Sequence, residues 1–369
     1  MKKRSLGNTG LELSIAGFGG FHLVEVPSRE TERLLHAYLE RGGNYIETAA
    51  QYGSGASEEK IGRAVSKRRS DFYLATKVLE RRKGPAKKQI EESLRHLKTD
   101  HVDILFAHGI QTMDLLDEIM AEDGALQAII EAKKEGKTRF IGITGHGRQP
   151  VILEAINRYP FDVYMTGYNY LDRFNYPINE ETLLPDAEKK GIGILGMKAL
   201  ADGYLYRNYE QAIRYTLSLP IHSLVLGMNN MEQFEKNMKV VESFSPMTEE
   251  EKAELFRTAP ELGDYVCRLC GKCVEGGLDP QQVFLLEGLY DRQMDDGRPG
   301  DPAHYALRES LRFWFKQNEE AKAEYARLKQ KVDPQKDYTR LNSLCPYGID
   351  IDRKLKLAHA KLSEEEYIF

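Results

Sequence analysis

Between Leu13 and Gly227 the chain repeats one beat, a short apolar, β-branched run followed by a segment of helical period. The runs are LSIAGFG from Leu13, YIET from Tyr45, FYLATK from Phe72, VDILFAH from Val102, FIGITG from Phe140, VYMTG from Val163, GILGM from Gly193 and SLVLG from Ser223. The segments between them read as amphipathic helices. From Ser28, Leu34, Leu35, Tyr38 and Leu39 form one apolar stripe, with Ser28 placed to cap the start and Gly42 to end the helix. GALQAIIEAKKEGK from Gly124 has the same pattern. Eight strand–helix units of this length predict a parallel (β/α)8 TIM barrel rather than a doubly wound sheet.

After Pro246 the beat stops. MTEEEKAELFRTAPELGD reads as a helical linker, and Phe284–Leu289, Tyr305–Phe315, Ala321–Val332 and the tail from Ile351 read as helices, with a break at DDGRPGDPAH. The expected division is therefore a barrel over 1–245 and a small, mainly helical domain over 246–369.

Composition adds limits. The 369 residues are 41% hydrophobic and 30% charged, with a net charge of −5, which argues against a nucleic-acid partner. The basic runs Lys67–Arg69 and Arg81–Lys83 sit at element boundaries and read as solvated faces. The basic N-terminus lacks the apolar stretch of a secretory signal, and no window has the length of a membrane span. A cytoplasmic protein with reduced cysteines is the expectation. GFGGFH from Gly17 is glycine-rich but lacks the Gly-x-Gly-x-x-Gly spacing of a dinucleotide fold.

Chemistry in such a barrel is built at the C-terminal ends of the strands. Glu47 ends the second run, Tyr52 follows in its loop, Lys77 ends the third and His108 the fourth. Carbonyl reduction needs hydride on carbon and a proton on oxygen. A tyrosine beside an ammonium has its phenolate form stabilised, a carboxylate can hold that ammonium, and a histidine can orient the carbonyl.

KRSLGNTGLELSIAGFGG, IETAAQYGSGASEEKIGRAV, LATKV, VDILFAHG and GKTRFIGITGH resemble, in order and spacing, the signature regions of the aldo-keto reductase family. The resemblance covers about residues 3–240. It implies a hairpin closing the barrel bottom and NADPH- or NADH-dependent reduction of an aldehyde, ketone or sugar-like carbonyl. In that reading Tyr52 donates the proton, Lys77 tunes it and His108 positions the substrate. Glu47 stands where the family has an aspartate. The carboxamide-binding Ser-Asn corresponds to Thr144-Gly145-His146, the strand glutamine to Met165, and the stacking aromatic to Met197, beside Lys198. GMNNMEQFEKN resembles the adenosine-phosphate loop, with Gly227, Met228 and Asn229 on the nucleotide and Gln233 and Asn237 near the adenine. No Arg or Lys precedes Lys236 there, so NADH stands beside NADPH.

Three of the four cysteines form CRLCGKC, at Cys267, Cys270 and Cys273, and the fourth is Cys345, followed by Pro346. Cys-x2-Cys-x2-Cys with a remote Cys-Pro fits a 4Fe–4S cluster better than structural zinc or unligated thiols. The resemblance extends here to the subgroup with a ferredoxin-like iron–sulfur domain. VEGGLDP replaces the first motif's own Cys-Pro, and DYTRLNSLCPYGIDI keeps only Cys345-Pro346 of a second motif, which implies one crossed cluster. It braces the tail or serves a redox partner protein. Two other functions remain on the same scaffold: a nucleotide-binding regulatory protein, and a hydride-neutral isomerase or lyase.

Overall fold

The computed structural model describes residues 1–146, 150–274, 277–295, 302–315 and 317–363. An antiparallel hairpin of β1 (Lys3–Ser5) and β2 (Glu12–Ser14) comes first. Eight strands follow: β3 (Ala16–Gly19), β4 (Tyr45–Glu47), β5 (Tyr73–Val78), β6 (Val102–Ala107), β7 (Thr138–Thr144), β8 (Val163–Gly167), β9 (Gly193–Met197) and β10 (Ser223–Gly227). They close into a parallel barrel in which β10 pairs with both β9 and β3. All eight apolar runs became barrel strands. Buried on both faces, such strands show continuous apolar runs rather than alternation.

Inside the barrel, Tyr45, Ala75, Ile104, Phe106, Val163, Met165, Leu195, Met197 and Val225 share one core with Leu6, Leu11 and Leu13 of the hairpin region. The hairpin thus closes one end with apolar side chains. Strand side chains alternate with a period of two. The interior positions Tyr45, Ala75 and Phe106 therefore lead, two residues on, to Glu47, Lys77 and His108 at the other end.

The helix Ser28–Glu40 buries Leu34, Leu35, Tyr38 and Leu39 as the stripe requires, but its N-cap is Pro27 and Ser28 is its first residue. Proline's fixed φ turns the chain there without any side-chain cap. Gly42, at φ +81°, follows the helix end in the left-handed conformation.

The chain divides into two compact units, one of Met1–Tyr168, Glu180–Ala199 and Ile213–Pro246, the other of Asn169–Asn179, Leu200–Ala212 and the chain from Met247 onward. In the second unit the helices after Met247 are Glu249–Thr258, Pro280–Asp291, Pro302–Phe315, Asn318–Ala326, Thr339–Asn342 and Ile351–Ser363. Glu249–Thr258 starts with a full capping box, Thr248 and Glu251 exchanging side-chain-to-backbone bonds. Pro280–Asp291 is longer than its apolar segment suggests, and Asn318–Ala326 stops short of the expected Val332. The break expected at DDGRPGDPAH falls mostly outside the described residues. No helix among the described residues is long and apolar enough to cross a membrane.

Candidate active site

Glu47 and Lys77 are 3% and 1% exposed and in direct ionic contact. Parallel pairing sets Glu47 beside Ala75, so Lys77 projects from the neighbouring strand two residues nearer the mouth. Lys77 Nζ also donates to the Thr48 carbonyl at 2.9 Å and to the Tyr52 hydroxyl at 2.7 Å. The same ammonium lies 4.3 Å from the Tyr52 ring centre. Tyr52 Oη points back to Glu47 Oε1 at 3.5 Å, closing the triangle. The loop carrying Tyr52 is seated from below. The Thr48 and Ser57 hydroxyls meet at 2.9 Å, and Ser57 Oγ donates to the Gly20 carbonyl at 2.7 Å. A Cβ on Gly20 would stand 2.7 Å from the Glu47 carbonyl oxygen, so only glycine lets β3 end that close to the site.

His108 completes the group, its ring edge-on to Tyr52 with centroids 5.9 Å apart. It is 6% exposed, and its Nδ1 is buried without a hydrogen-bond partner among the described residues. Its backbone is fixed on both sides. The His108 N–H donates to the Val78 carbonyl at 2.9 Å, and Arg81 Nη1 donates to the His108 carbonyl at 2.7 Å. Burial, and then the charge of Lys77, holds the His108 pKa well below its usual value, so the ring is neutral at neutral pH. Burial also lowers Lys77 strongly and raises Tyr52 above an ordinary phenol. This differs from the expectation that the ammonium would make Tyr52 more acidic: burial, and then Tyr45, raises the phenol. Tyr52 therefore keeps its proton at neutral pH, which is the form a proton donor needs.

Residues 16–216 match the model of the aldo/keto reductase family. The chain belongs to the aldo/keto reductase family. It is an oxidoreductase of NAD(P)H-dependent carbonyl reduction, with small carbonyl compounds as substrates. It is 31% identical over 285 residues to L-galactose dehydrogenase of Arabidopsis thaliana, covering 64% of this chain and 87% of that protein. It is 28% identical over 313 residues to the uncharacterized oxidoreductase YqkF of Bacillus subtilis, covering 71% of this chain and 98% of that one. Among solved structures, the holo form of aldo-keto reductase AKR11C1 from Bacillus halodurans is similar at a TM-score of 0.61 and 29% identity, covering 69% of this chain and 95% of that one. These relatives are spanned almost completely, whereas a substantial part of this chain lies outside each match.

Further residues surround the reductase's mouth. Thr144 is buried, its hydroxyl accepting from the Gly109 N–H at 2.9 Å, and His146 is half-buried just beyond β7. Met165, 1% exposed, and Met197, 9% exposed, belong to the interior core, so they offer packing rather than hydrogen bonds. Lys198 follows β9 at φ +59°, half-buried. Gly227 and Asn229 are exposed at the end of β10, and Met228 is fully buried. The Asn229 N–H donates to Gln233 Oε1 at 2.8 Å, while Asn230 caps the helix Met231–Glu242 that holds exposed Gln233 and buried Asn237. An exposed strand end leading into a helix N-terminus suits a nucleotide's phosphates, so these residues fit the family's cofactor.

Two contributors escaped the sequence reading. Phe21, 47% exposed, packs edge-on to Tyr52 at 5.2 Å and to His22 at 5.5 Å. It lies in GFGGFH, which showed its glycines but not its aromatic wall. Arg81 belongs to a basic run read as a solvated face, yet it is half-buried and holds the His108 carbonyl. The run Lys67–Arg69 does pair with acids, Arg68 with Asp71 at 2.9 Å and Arg69 with Asp103 at 2.8 Å.

In the second unit Cys267, Cys270, Cys273 and Cys345 line one pocket, walled by Phe284, Leu344, Ile349 and Ile351. None forms a disulfide. Leu269, at φ +53°, and Gly271, at φ +77°, fold the CRLCGKC loop so that the Leu269 N–H faces Cys267 Sγ at 3.4 Å. Among the described residues no group of three or more His, Cys, Asp or Glu is arranged to hold a metal ion.

Proposed function

We propose that Tyr52 is the proton donor of this carbonyl reductase, with Lys77 and Glu47 as its buried support and His108 as the neutral group that orients the substrate oxygen. The observation that carries this reading is the Lys77–Tyr52 contact of 2.7 Å inside a site where burial keeps the phenol protonated. The chemistry that NAD(P)H would supply, when bound, is hydride for the carbonyl carbon. The chain's part is to present a proton from Tyr52 Oη to the carbonyl oxygen, and to hold that oxygen near His108. Glu47 retains the ion pair with Lys77 that an aspartate would make, so the longer side chain keeps the supporting charge in place. Thr144, His146, Lys198, Gly227, Asn229, Gln233 and Asn237 would hold the nucleotide, with Met165, Met197 and Met228 packed around it. With the barrel over 1–245 as the catalytic domain, Tyr52→Phe should lower turnover on a panel of aldehydes, ketones and sugars by about 10²–10⁴-fold. NAD(P)H binding, followed by nicotinamide fluorescence, should stay within about twofold. Turnover unchanged in Tyr52→Phe would remove the assignment; NAD(P)H binding without turnover on any of the panel would favour a regulatory role, and conversion without change in nicotinamide absorbance a hydride-neutral one.

The domain over 246–369 is read as a ferredoxin-like carrier of one 4Fe–4S cluster on Cys267, Cys270, Cys273 and Cys345. Support comes from the Cys-x2-Cys-x2-Cys spacing and from four thiols around one apolar-walled pocket. Protein isolated without oxygen should contain about four irons and four sulfides, and Cys345→Ser should lose them. One zinc per chain, or about eight irons, would overturn this reading.

A further inference from the structure

Of the three basic residues Arg81–Lys83, two serve the surface. Arg82 pairs with Asp123 at 3.0 Å and Glu118 at 3.2 Å, and Lys83 pairs with Glu131. Arg81 turns the other way. It is half-buried, and its side-chain hydrogen bond among the described residues runs from Nη1 to the His108 carbonyl at 2.7 Å. Burial lowers its pKa against the pull of Glu118 and Glu80, so the cation gives up some of its solvent to reach a neutral oxygen. A hydrogen bond from an ionised donor is about twice as strong as one between neutral groups.

The segment around Arg81 is tied down, which makes its side chain a fixed strut. The N–H groups of Leu79 and Glu80 both donate to Gln89 Oε1 on the helix Lys83–Leu97, at 2.7 and 3.2 Å. The Ala125 N–H donates to the Arg81 carbonyl at 2.9 Å, and the Lys83 N–H to the Asp123 carbonyl at 2.7 Å. Arg82 and Gly124 form an antiparallel bridge between those two bonds. Functional side chains are placed accurately when the groups behind them are locked in this way.

His108 needs such support. Its Nδ1 has no hydrogen-bond partner among the described residues, so no bond at that nitrogen sets the ring. The ring's direction depends on its backbone and on the edge-on contact with Tyr52 at 5.9 Å. The peptide that joins His108 to Gly109 is gripped at both ends. Arg81 takes its carbonyl, and its N–H donates to the Thr144 hydroxyl at 2.9 Å. Gly109, at φ +65°, then turns the chain, and the Ile110 N–H donates to the Thr144 carbonyl at 2.8 Å. Val78 and Thr144 thus hold the segment from β5 and β7, the strands on either side of β6, and Arg81 adds a third grip at the histidine itself. After burial, Lys77 and His146, the Arg81 charge is also a further reason that the ring stays neutral.

We infer that Arg81 is a positioning residue for the carbonyl reduction: by holding the His108 carbonyl it fixes the ring that orients the substrate oxygen. This role rests on His108 being the group that orients that oxygen. Without the grip the imidazole is free to shift, and a displacement of about 1 Å at a reacting centre can cost about 10²-fold in rate.

The test is a double-mutant cycle between Arg81 and His108 in the full chain, on the fastest carbonyl compound of the panel, with NAD(P)H binding followed by nicotinamide fluorescence. Arg81→Met should lower kcat by about 10–10²-fold, with nucleotide affinity kept within about twofold. Arg81→Lys restores a cation where a single donor is used, and should recover turnover to within about threefold of wild type. His108→Gln should itself lose about 10²-fold. Adding Arg81→Met to it should cost less than about twofold more, because the ring that Arg81 fixes is gone. A merely structural arginine would cost the same factor in both backgrounds, and that result overturns the inference. So does wild-type kcat in Arg81→Met while His108→Gln is impaired. Normal turnover in His108→Gln instead removes the role of His108, and that of Arg81 with it. If Arg81→Met fails to fold, Arg81→Gln, which keeps a donor and loses the charge, takes its place in the cycle, and equal losses in both backgrounds overturn the inference in the same way.

Discussion

Two buried lysines, Lys77 in the barrel and Lys354 in the helical unit, are built from the same parts. Each is at most 1% exposed, each meets a buried glutamate, and each lies against a tyrosine ring. Burial lowers both. They differ in where the tyrosine hydroxyl goes. Tyr265 donates to Glu287 at 2.7 Å, and Glu287 also takes Lys361 at 2.8 Å, so that network is closed on itself. Tyr52 instead receives its lysine at 2.7 Å, reaches Glu47 only at 3.5 Å, and stands edge-on to His108 and half-exposed Phe21 at the strand ends. A buried Lys–Glu–Tyr group is therefore no catalytic signature in itself. What makes one of them a candidate site is a hydroxyl whose short contact is with the lysine rather than the glutamate, beside a histidine at the strand ends.

The sharpest way to break that contrast is Lys77→Met. It strands Glu47 in the barrel, costing about 3–5 kcal/mol, and should lower carbonyl turnover by about 10²–10⁴-fold. Steady-state kinetics and denaturant unfolding measure the two effects, and normal turnover would mean that Tyr52 acts without its lysine. Glu287→Gln is the counterpart. It leaves Lys354 and Lys361 without their shared carboxylate and should also cost about 3–5 kcal/mol, read as faster amide exchange in the helix Ile351–Ser363. Unchanged exchange there would show that the rings of Tyr265 and Phe284 hold Lys354 unaided.

Acid titration separates the two carboxylates of the closed network. Burial alone would raise Glu287, but Lys354 and Lys361 outweigh it and hold the group at about 2 against an ordinary 4.5. Its contribution is present above about pH 4.5 and is lost as pH falls toward 2. Burial pushes Asp291 the other way, to about 6 from 3.8, against the pull of Lys361. The native state then holds its proton more tightly, so this contribution declines as pH rises from 3.8 to 6. Glu287→Gln should remove the gain on the acid side, and Asp291→Asn the decline above it, both read from denaturant midpoints against pH. A wild-type profile flat across both windows would contradict the two assignments.

The barrel half of the contrast was legible because its cause is local. Apolar runs buried on both faces announce strands, and Glu47, Lys77 and His108 are visible where those runs end. The order of the pKa values was not legible, since Tyr52 is governed by how deeply the folded site excludes water. Arg81 and Phe21 lie in short segments whose composition fits loops, and only the closed barrel turns them toward the site. In the helical unit the reading was poorer for a related reason. Pro280–Asp291 is buried on most sides, with Glu287 and Asp291 inside, so it lacks the polar face that marks a helix boundary. The cations that allow those acids to be buried come from Lys354 and Lys361, far along the chain. The four cysteines were visible as a spacing, and the fold adds that they share one pocket.

The smallest expected effect tests redundancy itself. Lys361 contacts Glu287 at 2.8 Å, Asp291 at 2.7 Å and the Met294 carbonyl at 2.6 Å. By count of contacts it looks the more heavily used of the two lysines. Yet Lys361→Met leaves Glu287 its bond to Lys354 at 2.8 Å and leaves Asp291 facing Arg312 at 3.7 Å. Each acid keeps a cation, so the loss should be about 1–3 kcal/mol, below that of Glu287→Gln and of Lys77→Met. Amide exchange in the helix Ile351–Ser363 measures it on the same scale. A loss as large as that of Glu287→Gln would mean that the second cation is indispensable, and that the two buried lysines differ only in where their tyrosines point.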